Sequence, residues 1–343
     1  MKYRKLGNSD LNISEVALGA DTFGRDIDER ATAAIIDYAL DLGVNYIDTA
    51  DVYGWGGGSE TLLGKALKGK RSRFVIATKF GIGVDKDVPQ GRSKDGLGAR
   101  NYITKAIEAS LKRLDTEYID LYQFHAPDPT TPVEETLKAL DDLVKAGKVR
   151  YIGCSNFASW ELCEALWISK TAGLASFVSV EPRYNLIERN IEAELAPFCQ
   201  AYGIGVIPWY PLMAGFLTGK YHRGEGIPAG TRFNTNPEMY GRLLTDANFD
   251  MLDKLTAFSA ERGHTVAELA IAWLLSHPWV STVIAGVTKT EQVAANVATA
   301  QWRLTADDMA QLDKAVGYSL YSALPMKPRR YTLPPGYLQT VKK

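Results

Sequence analysis

Eight short apolar runs, most of them separated by stretches with helical spacing, constrain this chain more than any other feature. The runs lie near Val16–Leu18, Tyr46–Ile47, Phe74–Ala77, Ile119–Gln123, Val149–Gly153, Phe177–Val180, Ile204–Ile207 and Thr282–Ala285. Between them, Glu29–Leu42 repeats Ala33, Ile36 and Leu40 at spacings of three and four, which puts all three on one helical face. Tyr102–Leu114 does the same with Ile103, Ile107, Leu111 and Leu114, and Val133–Ala146 with Leu137, Leu140 and Val144. Gly43, Gly147 and Gly203 follow helical stretches as C-cap residues, while Ser59 and Thr131-Pro132 mark helix starts. Eight strands alternating with helices predict an α/β protein, a (β/α)8 barrel of the TIM type. No linker interrupts the pattern, so residues 1–343 are expected to form one domain, and 46% hydrophobic residues suffice for its core.

Composition removes several function classes. A formal charge of −1 gives no electrostatic footprint for nucleic acid or an anionic membrane. The N-terminus MKYRKLGNSDLN has no apolar signal region, and no run approaches the ~18 apolar residues that a membrane span needs. Cys154, Cys163 and Cys199 are odd in number and fall on separate elements, which predicts reduced core thiols and a cytoplasmic setting. With four histidines and no HExxH, CxxC or EF-hand loop, metal catalysis has no support. Gly224, Gly226 and Ala229 spell a dinucleotide fingerprint, but no strand precedes them. Gly64–Arg71 approaches a P-loop, yet Arg71 stands where Ser or Thr should meet magnesium.

Four polar residues stand where strand-like runs stop, in YIDTADVYG, FVIATKFG and LYQFHAPDP: Asp48, Tyr53, Lys79 and His125. In a parallel barrel such positions gather on the C-terminal face, where chemistry occurs. A free phenol with a pKa near ~10 is a poor acid at neutral pH. An adjacent ammonium stabilises the phenolate and makes proton donation workable. Tyr53 is therefore the expected proton donor, with Lys79 beside it and Asp48 holding Lys79 charged. His125 completes the group.

These segments, with RKLGNSDLNISEVALGADTFG, VRYIGCSNF, VSVEPRYNL, IPWYPLMAGFLTGKY and VIAGVTKTEQVAANV, resemble the aldo-keto reductase superfamily over nearly the whole chain. The resemblance implies that a hairpin around Asn8-Ser9 closes the barrel bottom. It also implies a nicotinamide cofactor, because the four residues supply a proton but no hydride. Gly19, Ser155, Asn156 and the residue at the end of the sixth strand then surround the nicotinamide. That last residue is Glu181, where the family usually has Gln. An ionised glutamate only accepts hydrogen bonds, so a negative charge is expected near the ring, with Arg183 as the alternative that neutralises it. Trp209 stacks on the ring, and Leu212, Gly215, Leu217 and Lys220 wrap the pyrophosphate. Gly286, Thr288, Lys289, Gln292 and Asn296 hold the adenosine end. Lys289 has two readings, a contact to a 2′-phosphate or a solvated surface lysine. NADP is favoured, and NAD remains open.

Phe23, Trp55 and Phe80, with Tyr321 and Tyr331, are expected to wall a pocket for an apolar aldehyde or ketone. GWGGGSE makes the loop after Tyr53 open. Gly81–Gly98, Pro211–Asn248 and Tyr318–Lys343 break the repeat and are expected as long loops at the pocket mouth. Two other functions compete with NADPH-dependent carbonyl reduction. One is a nicotinamide-binding regulatory subunit, since potassium channel β subunits share the fold and the four residues. The other is a barrel enzyme using Lys79 as a Schiff base, which leaves Tyr53 and the cofactor segments without a role.

Overall fold

The computed structural model describes residues 1–82 and 96–317 of the chain. Its first element is a hairpin, β1 (Tyr3–Lys5) against β2 (Asn12–Ser14), paired antiparallel with Arg4 opposite Ile13. Eight parallel strands follow: β3 (Val16–Gly19), β4 (Tyr46–Asp48), β5 (Val75–Phe80), β6 (Ile119–Phe124), β7 (Val149–Ser155), β8 (Phe177–Glu181), β9 (Gly205–Val206) and β10 (Val283–Gly286). They pair in chain order, with β10 beside β3. The remaining seam is bridged by Val206 with Val280, and the Ser281 N–H donates to the Val206 carbonyl at 2.8 Å. All eight strand expectations are met, and the (β/α)8 barrel stands.

The three expected helices are present as Glu29–Asp41, Arg100–Leu114 and Val133–Lys145. The second buries all four expected residues, whereas in the first and third Ile36, Leu137 and Leu140 are buried and Ala33, Leu40 and Val144 only partly. The buried faces of those two centre on Ile35, Ile36 and Ala39 and on Leu137, Leu140 and Leu143. In Val133–Lys145, Glu134 and Glu135 in the first turn and Lys145 in the last complement the helix dipole. Gly43 and Gly147 sit one residue past the caps Leu42 and Ala146, in left-handed conformation, where glycine avoids a Cβ clash.

Two layers fill the molecule. Between strands and helices lies a shell that includes Ile36, Ile47, Ile76, Ile107, Leu140 and Ile152. Inside the barrel, Ala17, Tyr46, Ala77, Leu121 and Ile207 meet Leu6, Leu11 and Ile13 from the hairpin. The hairpin therefore plugs the barrel floor, as expected, and each fully buried Leu or Ile there is worth roughly 1.5–3 kcal/mol. Arg4 fixes the plug by donating to the carbonyls of Leu275, His277 and Val280 at 2.7, 3.0 and 2.6 Å and to Glu15 at 2.7 Å.

Among the described residues no helix is long and apolar enough to cross a membrane, and no group of three or more His, Cys, Asp or Glu could hold a metal ion. Cys154 and Cys199 are buried and unpaired, but Cys163 is exposed on helix Ser159–Ala172, so the expectation of three core thiols is corrected to two. Gly224 and Gly226 lie in an exposed turn with open space around them, and Gly64 lies inside helix Tyr53–Ala66, so neither phosphate decoy has the needed setting. The stretch Pro211–Asn248 is broken into short turns such as Met213–Thr218 and Arg232–Thr235, and Phe216, Tyr221, Phe233 and Phe249 give it an apolar core. Tyr318–Lys343, with Tyr321 and Tyr331, and most of Gly81–Gly98 lie outside the described residues.

Candidate active site

Strand alternation builds the site. Side chains along a strand point to opposite faces with period two. Tyr46, Ala77 and Leu121, which line the barrel interior, are each followed two residues later by a polar group: Asp48, Lys79 and Gln123. With Glu181 at the end of β8, these form a buried polar layer above the apolar floor. Gly153 makes room for it, since a Cβ there would lie 2.6 Å from Ser179 Oγ and 3.3 Å from Gln123 Cγ.

Lys79 is 0% exposed. Its Nζ lies 2.5 Å from Asp48 Oδ2, 3.4 Å from Glu181 Oε1, 3.4 Å from the Tyr53 hydroxyl and 3.2 Å from the Thr49 carbonyl. The four expected residues are thus brought together, with the Tyr53 and His125 rings edge to face at 5.9 Å. Despite its burial, Lys79 is held charged, its pKa raised by Asp48 and then Glu181. Asp48 is pushed well above the ordinary carboxylate range by burial and by Glu181, against the pull of Lys79. His125 is held well below the usual imidazole value by burial and then by Lys79, so its ring is neutral.

One expectation changes here. Lys79 does lower the Tyr53 pKa, but burial outweighs it, and Asp48 and Glu181 add to the rise. The net shift is upward. A second correction concerns Glu181. Arg183 does not neutralise it, because Arg183 Nε is committed to Glu188 at 2.6 Å. The partners of Glu181 are Lys79 and the amide of Gln123, whose Nε2 donates to Glu181 Oε2 at 2.8 Å and to Asp48 Oδ1 at 3.3 Å.

Tyr53 opens helix Tyr53–Ala66, whose first turn runs through Gly54, Trp55, Gly56 and Gly57 in left-handed conformation, φ 67°, 63°, 95° and 92°. A Cβ at Gly54 would lie 2.5 Å from the Phe23 carbonyl, so glycine is required there. Regular helix begins beyond Gly57, beside Ser59 as expected, and the Ser59 hydroxyl donates to the Ala20 carbonyl at 2.7 Å. Trp55 projects from this turn, 81% exposed. Phe23 and Phe80 do not join it. Both are fully buried in the shell under the helices, Phe80 stacked on Tyr122 and Phe124, because Lys79 takes the inward position and its neighbour must point outward. Of the expected aromatic walls within the described residues, only Trp55 is open to solvent.

The expected nicotinamide residues converge. Asn156, at φ 61°, donates to the His125 carbonyl at 2.9 Å and to Ser155 Oγ at 3.0 Å, and accepts from Trp209 Nε1 at 3.2 Å. Ser155 Oγ donates to the Glu181 carbonyl at 2.9 Å. Gly19 and Gly286 face each other in register at the ends of β3 and β10. In the turn after β9, the N–H groups of Gly215 and Leu217 both donate to the Leu212 carbonyl, and the Leu217 side chain is core. Those two amides are therefore engaged locally rather than turned outward as donors. Near the start of helix Thr290–Thr299, the N–H groups of Thr288 and Lys289 donate to Gln292 Oε1, which makes Gln292 a cap, and Asn296 lies one turn further on.

The residues present fit a nicotinamide dinucleotide on three observations. His125 Nδ1 is buried without a hydrogen-bond partner among the described residues. Trp209 keeps part of its surface open. The facing glycines add no side chains of their own to the rim between β3 and β10, where a Cβ at Gly19 would strike Ile284 Cγ2 at 2.8 Å and one at Gly286 would meet Asp21 Oδ1 at 3.4 Å.

Sequence reasoning missed Gln123, although its place two residues before His125, near the end of the same strand-like run, was a usable signal. It also missed the ion pair of Arg232 with Asp21, 2.8 Å, which ties the long loop after β9 to the loop after β3. No local signal links those two positions. Burial and then Arg232 lower the pKa of Lys220 nearby.

A sequence model of the aldo/keto reductase family matches residues 15–316. A probable voltage-gated potassium channel subunit beta from Oryza sativa subsp. japonica is 37% identical over 304 residues, 87% of this chain and 90% of that protein. A putative voltage-gated potassium channel subunit beta from Schizosaccharomyces pombe is 37% identical over 329 residues, 92% and 94% of the two chains. The versiconal hemiacetal acetate reductase of Aspergillus parasiticus is 34% identical over 335 residues, 92% and 96%.

Proposed function

Because this chain belongs to the aldo/keto reductase family, we propose that it is an oxidoreductase reducing aldehydes or ketones to alcohols, with NADPH as hydride source. The observation that carries this reading is the Tyr53 hydroxyl 3.4 Å from the buried Lys79 ammonium, with the neutral His125 ring beside it. When bound, the nicotinamide supplies the hydride that adds to the carbonyl carbon. Tyr53 gives its proton to the carbonyl oxygen, so carbonyl, hydride and proton balance to an alcohol. Lys79 stabilises the phenolate that remains, and Asp48 holds Lys79 in place. His125, uncharged, donates to or orients the substrate oxygen.

Ser155, Asn156, Glu181 and Trp209, with Gly19, would hold the nicotinamide in this reading. The turn from Leu212 to Lys220 would follow the pyrophosphate through groups other than the Gly215 and Leu217 amides, and Gly286, Thr288, Lys289, Gln292 and Asn296 the adenosine end. Lys289, at the adenosine end, is the cation for a 2′-phosphate in this reading and favours NADP over NAD. Trp55, exposed beside Tyr53, is the substrate-facing aromatic.

Steady-state reduction of 4-nitrobenzaldehyde, followed by loss of reduced-nicotinamide absorbance with NADPH and NADH, tests the proposal. Turnover that disappears in Tyr53→Phe supports it. The relatives named as channel β subunits favour one other reading, a nicotinamide-binding partner subunit. Tight cofactor binding without turnover on a panel of carbonyls would select it.

A further inference from the structure

The buried polar layer carries more negative than positive charge. Asp48 and Glu181 are both buried, and the one cation that pairs with either among the described residues is Lys79. Gln123 donates to both carboxylates and holds them side by side. The other groups facing them do not supply a second positive charge. Tyr46 on β4 and Tyr53 are phenols, Cys154 on β7 is a thiol, and His125 after β6 is neutral. Asp51, the next group to feel Lys79, is itself a carboxyl. One ammonium does not compensate two buried carboxylates, and the state of lower energy keeps one proton on Asp48. Burial and Glu181 raise the Asp48 carboxyl in the direction this requires. With Gln in place of Glu181, Asp48 and Lys79 would balance and no extra proton would be held.

We propose that Asp48 keeps a proton beside Glu181 in the unliganded protein and releases it when an oxidised nicotinamide binds over them, so that binding of the oxidised but not the reduced cofactor is coupled to proton release. The inference rests on the nicotinamide reading above. Its logic is charge exchange: the oxidised ring brings a positive charge, which takes over the proton's role beside two carboxylates, and the proton leaves to solvent. The reduced ring is neutral and displaces nothing. Where that proton titrates, affinity for NADP⁺ gains up to about tenfold per pH unit, and affinity for NADPH does not. The two nucleotides carry the same phosphates, so their difference isolates the ring.

Calorimetric titration of the wild-type protein with NADP⁺ and with NADPH, in phosphate, HEPES and Tris buffers at one pH, counts the protons exchanged. The expected result is release of up to about one proton per NADP⁺ bound, and less by that amount for NADPH. In Glu181→Gln the difference should vanish, and the ratio of the two dissociation constants should become flat from about pH 6 to about pH 9. Equal proton counts for the two nucleotides in the wild type would overturn the inference without any variant. An unchanged difference in Glu181→Gln would overturn the assignment to this pair. Failure of both nucleotides to bind would instead overturn the nicotinamide reading beneath it.

Discussion

Replacing Lys79 by methionine tests the buried charge cluster directly. Lys79 lies 2.5 Å from Asp48 and 3.4 Å from Glu181, and methionine keeps an unbranched stem while removing the charge. Breaking a buried pair by deleting one partner costs about 3–5 kcal/mol, because the other charge is left uncompensated. Here the carboxylates can escape part of that cost by taking up protons, as Asp48 is already raised by burial and by Glu181. A carboxyl raised in the folded state binds its proton more tightly there than in the unfolded chain. The variant's stability is therefore highest below the ordinary carboxylate range and falls as pH rises towards the folded value, by up to ~1.4 kcal/mol per unit per proton. Urea unfolding followed by circular dichroism, at about pH 5 and about pH 8, reads the effect on both proteins. Relative to wild type, the variant should lose at least ~1.4 kcal/mol more at the higher pH than at the lower. An equal loss at both, or a smaller loss at the higher pH, would refute the claim that two carboxylates depend on this ammonium.

Tyr53→Phe keeps the ring and removes the proton, so kcat should fall by roughly 10²-fold or more with NADPH affinity nearly unchanged; near-normal turnover removes Tyr53 as the acid. Trp209→Ala should weaken NADPH binding by on the order of 1–3 kcal/mol, the scale of base–aromatic stacking, while 2′-phospho-ADP binds as before. Equal losses for both ligands make Trp209 structural. Asp51, pushed up to about 7 by burial and by Glu60, makes the fold less stable as pH rises from the ordinary carboxylate range through that value. Asp51→Asn should therefore gain stability relative to wild type, on the order of 4 kcal/mol at about pH 8 and less than half of that at about pH 5; a denaturation midpoint that keeps the wild-type pH dependence removes Asp51 from the account.

What the sequence made legible is what short-range periodicity controls. Strand runs and amphipathic helices follow from local spacing, and so does the placing of Asp48, Lys79 and His125 where strands give way to loops. Phe80 was readable on the same grounds, because a residue next to an inward lysine must face the helices. The partner of Glu181 was not. In sequence the nearest cation is Arg183, two positions on, yet barrel closure delivers Lys79 from β5 while Arg183 turns to Glu188. Exposure of Trp55 depends on four consecutive left-handed residues, and the glycines only permit that path. The upward shift of Tyr53 arises from a balance between burial and charge that residue types alone do not fix.

The plug at the barrel floor also sets an order of events. The hairpin leaves the ribosome before the strands it plugs, but the carbonyls that anchor Arg4 belong to Leu275, His277 and Val280, separated from it by 271, 273 and 276 residues. Contacts this distant in sequence form late, after the intervening loop entropy has been overcome. During synthesis Leu6, Leu11 and Ile13 therefore lack their finished floor, and the hairpin stays open to proteases or chaperones for most of the time the chain is being made. Nascent chains halted before Leu275 should be cleaved near the hairpin, and chains released after β10 should resist; equal resistance in the two would mean that the plug seats without its anchors.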